Sequence, residues 1–260
     1  MRRTERAGAV FYVSDALAAF PEVIHAVTTR HGGVSQVPFD SLNLGNFVGD
    51  PVENVRENWK RVHAALELNP GATVDARQAQ AGAVARVGAA DRGTRIQNVD
   101  ALITDAPGVP LLLRFADCVP IMFFDPAHHA IGLAHAGWRG TVAKVVTNTV
   151  LEMQSHFATE PAQLVAVIGP SIGPCCYTVG ADVQERVRSA FPDAPGLLTG
   201  LNGATRLDLW EANALQLREL GVKNIEVSGL CTSDRTDEWY SWRREKGQTG
   251  RFAAIIALKG

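Results

Sequence analysis

Strand-length apolar runs alternate with helix-patterned segments along the whole chain, and that alternation limits the fold more than any other feature. None of these runs is long enough to cross a membrane, which takes about 20 apolar residues. The longest strongly apolar run is Val119–Phe124. Ile24–Thr29, Val99–Thr104, Leu111–Phe115, Ala130–His135, Leu164–Ile168, Ile225–Ser228 and Phe252–Leu258 read as further strands. Between them lie amphipathic helical patterns. One carries Val52, Val55, Trp59, Val62 and Leu66 behind an Asp50-Pro51-x-Glu53 start that reads as a capping box. A second runs on Val142, Val145, Val146, Val150 and Met153; a third starts at Asp208 and Glu211 and stops at Gly221. Without repeats or low-complexity linkers, this predicts an α/β (α+β) fold, a single domain over residues 11–260 with mixed β-sheets and flanking helices. Residues 1–10, which include MRRTERAG, are expected to be flexible.

Charge narrows the partners. The 260-residue chain is 20% charged with a formal net charge of -2 and no long run of one sign, which argues against nucleic-acid binding. Two N-terminal arginines are followed by no apolar signal core, so a cytoplasmic location is expected, with no membrane association. The four cysteines are then expected to be reduced. Nothing in the pattern bears on oligomeric state.

Two residues stand out for chemistry. If Pro126-Ala127 forms a two-residue turn, Asp125 pairs with His128 and Cys118 falls opposite His135, with Cβ atoms roughly 5 Å apart. Such a pair suits a shared metal or a Cys–His nucleophilic couple, in which Asp117 or a backbone carbonyl orients the ring. The plain alternative is a small core thiol beside a hydrogen-bonded histidine. Thr29-Arg30-His31-Gly32-Gly33 and Ser41-Leu42-Asn43-Leu44-Gly45 set polar side chains among glycines, as a phosphate or sugar site would, or simply as turns do. Ser241-Trp242-Arg243-Arg244, with Thr249-Gly250-Arg251, offers cationic groups to an anion or forms a solvated hairpin. Adjacent Cys175 and Cys176 read equally as a thiol site or as packing beneath a Gly/Pro-rich loop. Seven histidines with no His-x-His spacing argue against multicopper chemistry.

Taken together, Thr-Arg-x-Gly-Gly-Val-Ser at 29–35, Ser-Leu-Asn-Leu-Gly at 41–45, Asp-Ala-Leu-Ile-Thr-Asp at 100–105, Ala-Asp-Cys-Val-Pro at 116–120, His-Ala-Gly-Trp-Arg-Gly at 135–140 and Ile-Gly-Pro-Cys-Cys-Tyr at 172–177 resemble the YfiH-like family. Ser-x-Arg-Arg at 241–244 and Thr-Gly-Arg at 249–251 extend the match across nearly the whole chain. This is the laccase-domain (DUF152) family, once labelled polyphenol oxidase. The resemblance implies a fold similar to that of cytotoxic-necrotizing-factor deamidases, with Cys–His active sites. It also implies phosphorolysis of adenosine, inosine or methylthioadenosine, with purine nucleoside and phosphate as partners, and deamination of adenosine. Zinc would be held by two histidines and one cysteine, which assigns Cys118 and His135 as ligands. The third ligand belongs to a Gln-Val-His-Gly motif, and here Gln78-Ala79-Gln80-Ala81 keeps its length while Gln80 stands in place of the histidine. Arg30, Asn43 and Arg243 would then orient phosphate or ribose. A metal-free Cys–His hydrolase or a nucleoside-binding protein without turnover are the competing expectations.

Overall fold

The apolar runs become strands of two mixed sheets stacked face to face. The computed structural model describes residues 1–201 and 203–260. In chain order its strands are β1 (Arg2–Arg6), β2 (Ala9–Val13), β3 (Val23–Thr28), β4 (Val74–Arg77), β5 (Val84–Arg86), β6 (Arg95–Gln97), β7 (Ala101–Thr104) and β8 (Leu111–Phe115). They continue with β9 (Val119–Asp125), β10 (Ala130–Ala136), β11 (Val165–Ile168), β12 (Leu198–Leu201), β13 (Ala204–Leu207), β14 (Asn224–Val227) and β15 (Phe252–Leu258). The helices are α1 (Asp15–Ala18), α2 (Val52–Ala65), α3 (Trp138–Val142), α4 (Val145–Phe157), α5 (Ala181–Ala190) and α6 (Leu209–Glu219).

One large sheet has the order β1-β2-β3-β15-β8-β4-β6 and the second β14-β11-β9-β10-β7-β5, while β12 and β13 form a separate two-stranded sheet. Side-chain alternation along the strands builds the layers. Met122, Phe124, Ile131 and Leu133 face Leu113, Phe115, Phe252 and Ala254 across the space between the sheets. Ile121, Phe123 and Ala134 point the other way, onto Val146, Val150 and Met153 of α4 and Leu217 of α6. On the far side of the first sheet, Leu112, Ala253 and Ile255 meet Val62 and Ala65 of α2. The result is a mixed α/β domain of four layers: helix, sheet, sheet, helices. β9 and β10 are buried at every position because both of their faces are covered.

Several local expectations are corrected. The first residues form β1, paired in register with β2 from Arg2↔Val13 to Arg6↔Ala9, because Ala7-Gly8 turns the chain at positive φ. Asp50 does not cap α2. Its carboxylate instead accepts from Ser35, Asn43 and Asn54, and Pro51 begins the helix without a side-chain cap. The helix expected after Trp138 is two helices, broken at Lys144, which lies in the left-handed region at φ 60°. The β9–β10 register is two residues from that expected: Asp125 pairs with Ala130, and His135 lies opposite Pro120. The turn is longer because the Asp125 carboxylate accepts from the backbone N–H groups of Ala127 and His128 and from the His128 ring, so it holds the loop open. Among the described residues, no helix is long and apolar enough to cross a membrane.

Candidate active site

The register shift leaves Cys118 and His135 neighbours. β9 starts just after Cys118, and β10 runs through His135 before the chain turns into α3 at Gly137. A Cβ placed on Gly137 would lie 2.8 Å from the Cys118 sulfur and 3.8 Å from Cε1 of His135, so glycine is what lets the thiol and the ring share this corner. His135 is buried, and its N–H donates to the backbone carbonyl of Asp100. Its Nδ1 sits 3.6 Å from Oδ1 of Asp100, an ion-pair distance beyond hydrogen-bond reach, and has no hydrogen-bond partner of its own. Burial alone would lower the ring pKa, but the Cys118 sulfur and the Asp100 carboxylate outweigh it and push it up to about 9.

Asp100 is itself held. Its carboxylate accepts from the backbone N–H groups of Gln80, Ala81 and Gly82 at 2.7, 2.6 and 3.0 Å. Burial would raise its carboxyl, yet His135 and these N–H groups together hold it below the ordinary carboxylate range. The carboxylate beside the ring is therefore that of Asp100 and not of Asp117. Asp117, at φ 85°, turns its carboxylate the other way, accepting from the Thr232 hydroxyl and the Arg243 N–H at 2.8 and 2.6 Å. Desolvation raises its carboxyl despite these donors.

Cys118, His135, Gln80 and Arg243 line one cavity of about 570 Å³, a volume suited to a small-molecule substrate. Arg95, Arg114, Arg139 and Arg251 line it too, against Asp117 as the one lining carboxylate. Arg95 and Arg114 share a single carboxylate, that of Asp75. Arg139, Arg243 and Arg251 have no carboxylate partner among the described residues. Arg243 donates to the Thr178 carbonyl and lies 5.0 Å from the Tyr177 ring; Arg251 donates to the carbonyls of Thr249 and Gly250. The wall is thus electropositive. Trp242 and Phe47, 53% and 90% exposed, place aromatic surface at the rim, where exposed rings of this size call for a ligand more than scattered apolar residues do.

Two of the residues expected to bind substrate lie elsewhere. Arg30 does not line this cavity: its guanidinium donates to the carbonyls of Asp40 and Thr236 and to the carboxylates of Asp40 and Glu245, and it stacks 4.8 Å from the Tyr240 ring. With its donors spent inside the protein, it ties loops together. Asn43 is fully buried, its amide oxygen accepting from the backbone of Gly45 and Arg251 at 2.9 and 2.8 Å. Both of those residues line the cavity, so Asn43 acts as a positioning residue. Arg251 lines the cavity beside Arg243, as a cationic group from its motif would, whereas Asp100, Arg114 and Arg139 were given no such role from the sequence. Asp100 and Arg139 lay within recognised motifs, but only the folded chain brings them to His135.

The donor set does not fit the zinc centre implied by the resemblance. Cys118 and His135 adjoin, but Gln80 offers a neutral amide oxygen, and that oxygen accepts from the Arg139 guanidinium at 3.4 Å. An amide already engaged by a cation is a poor third ligand for a dication that prefers imidazole and thiolate.

Residues 24–259 match the family model described as multi-copper polyphenol oxidoreductase laccase. The chain is 41% identical over 251 residues to the purine nucleoside phosphorylase YlmD of Geobacillus stearothermophilus, spanning 92% of each protein. It is 35% identical over 231 residues to the purine nucleoside phosphorylase YfiH of Escherichia coli K12, spanning 89% of this chain and 92% of that one. The crystal structure of YlmD from Geobacillus stearothermophilus superposes with a TM-score of 0.92 at 38% identity, over 99% of this chain and 98% of that one. A Bacillus licheniformis hypothetical protein YfiH gives a TM-score of 0.89 at 35% identity, over 98% of each.

Proposed function

The chain belongs to this laccase-domain family, and from that membership we propose that it is a purine nucleoside phosphorylase acting on adenosine, inosine or methylthioadenosine without a metal at Cys118 and His135. One observation carries the reading: three arginines without carboxylate partners, Arg139, Arg243 and Arg251, line the cavity that holds the Cys118–His135 pair. Inorganic phosphate docks against those guanidiniums. The purine stacks on Trp242 or Phe47 at the rim. As the glycosidic C–N bond breaks, His135, protonated near neutrality, gives its proton to the departing purine, and a phosphate oxygen bonds to the sugar C1′. The products are free base and sugar 1-phosphate. The Cys118 sulfur and the Asp100 carboxylate stabilise the imidazolium, and the pocket wall excludes bulk water.

The test follows base release from inosine with and without phosphate. Phosphate-dependent release, falling by about 10²-fold or more in His135→Ala, bears the reading out. Release that ignores phosphate overturns it, and saturable nucleoside binding without turnover would mean that catalysis has been lost. A second reading, a Cys–His hydrolase, is favoured by the line Cys118–His135–Asp100. The Cys118 sulfur attacks an amide carbonyl, the C–N bond breaks as His135 passes the proton to the departing amine, and water then cleaves the thioester to release the acid. It predicts that amide hydrolysis vanishes in Cys118→Ser and that the unaltered chain forms an acyl thioester at Cys118.

A further inference from the structure

A second group of reactive side chains lies outside the catalytic cavity. Cys175 and Cys176 sit in the loop between β11 and α5, and Cys231 follows β14, more than fifty residues later. Their three sulfurs lie within 4.8 Å of one another, and none of them lines the cavity. The backbone that carries them is firmly tied. Ser171 and Cys231 form a bridge between the two segments, with the Ser171 N–H donating to Leu230 and the Thr232 N–H to Ser171. The Gly173 N–H donates to the Cys231 sulfur at 3.2 Å. Gly173 has no room for a side chain, since a Cβ there would lie 2.6 Å from the Trp210 ring and 3.3 Å from the Cys231 Cβ. The thiols thus converge on a framework set by close packing and hydrogen bonds.

A disulfide accounts poorly for three thiols. Adjacent Cys175 and Cys176 have Cα atoms about 3.8 Å apart, short of the usual disulfide separation, and any other pairing strands one sulfur. A tetrahedral zinc ion with Zn–S bonds of about 2.3 Å sets its sulfurs roughly 3.8 Å apart, so a contraction of about 1 Å at most would close the site. Three thiolates with one oxygen donor suit borderline-soft Zn²⁺, whereas an all-sulfur trigonal set would suit Cu⁺.

We infer that Cys175, Cys176 and Cys231 form a structural zinc site, separate from the catalytic cavity, that pins the 169–178 loop to the segment after β14. Water completes the coordination. The loop also carries Ile172 and Tyr177 into the wall of the catalytic cavity, so the ion would fix one side of the substrate pocket. Binding displaces the thiol protons, up to three per ion, and turns the sulfurs into thiolates. Because those protons must leave, zinc affinity should rise with pH.

The experiment uses the full chain carrying Cys118→Ser, which removes the catalytic-pocket thiol. Zn²⁺ and Cu⁺ are titrated separately against chelators of known affinity, and Co²⁺ replaces zinc for spectroscopy. The expected result is one zinc per chain, thiolate-to-cobalt charge-transfer absorption, proton release on binding, and at least a 100-fold loss of affinity in Cys176→Ser. Cys175→Ser, at an exposed position, should lose at least 10-fold and keep its circular dichroism, which separates ligand loss from misfolding. Three results would overturn the site: no zinc bound with all thiols free, Cu⁺ held while zinc is refused, or a mass two hydrogens short, which marks a disulfide.

Discussion

Single residues decide which cations in the pocket are available. Asp75 is nearly buried between Arg95 and Arg114; burial alone would raise its carboxyl, but the two guanidiniums outweigh this and hold it below the ordinary value of 3.8. A depressed carboxylate adds stability that is present above the unfolded value and lost as pH falls through the folded one. Asp75→Asn should therefore lower stability at neutral pH by about 3 kcal/mol, since it strands Arg114 in a buried position, and should flatten the acid limb of the stability curve below pH 4. Chemical denaturation across pH checks both. Gln80→His supplies the imidazole missing beside Cys118 and His135. In a background with Cys175, Cys176 and Cys231 changed to serine, that variant should bind about one zinc per chain where the parent sequence at position 80 binds none, as metal analysis after gel filtration would read. Cys118 and His135 were legible because each sits in a recognisable motif at a strand end. Arg30 and Asn43 misled because a polar side chain among glycines looks the same whether its partners are ligand or protein. Their hydrogen bonds reach residues as far away as Glu245 and Arg251, which no local pattern reveals.

Elements were legible where they are long and uniformly apolar. β9, β10 and β15 match the runs that announced them because burial on both faces demands apolar residues throughout. β1, β4, β5 and β6 were missed: they are three to five residues long and carry arginines or polar side chains, and their pairing is set by neighbours distant in sequence. The break between α3 and α4 was invisible because valines continue the apolar spacing across Lys144, whereas left-handed backbone is what ends the first helix. α4 ends in the same way, at Ala158 with φ 56°, where the N–H still donates to the carbonyls of Met153 and Gln154. Left-handed backbone costs a side-chain-bearing residue about 1 kcal/mol, and glycine escapes that cost. Because Ala158 is exposed, Ala158→Gly sacrifices no packing. It should stabilise the protein by up to about 1 kcal/mol and raise the melting temperature by about 2 °C, measured by calorimetry.

At the scale of the whole molecule, stability and substrate binding draw on different aromatic residues. Phe124 lies on β9, is fully buried between the two sheets, and meets the Phe20 ring edge-on at 4.9 Å. Removing that ring empties space that both sheets border, and the strand cannot collapse into it because its other face is fixed against α4 and α6. Phe124→Ala should therefore cost about 3–5 kcal/mol. The loss should appear as one cooperative transition at lower temperature, since the layer between the sheets is shared by every central strand of both. Phe47 is the counterpart, with its ring in solvent at the mouth of the catalytic cavity. Phe47→Ala should leave the melting temperature within about 1 °C, because surface truncations usually fall within ±0.5 kcal/mol, while it raises the KM for inosine several-fold. A melting curve and a nucleoside titration on the two variants measure both effects. A Phe124→Ala protein that unfolded in two separate steps would show that the sheets are independent units rather than two halves of one core.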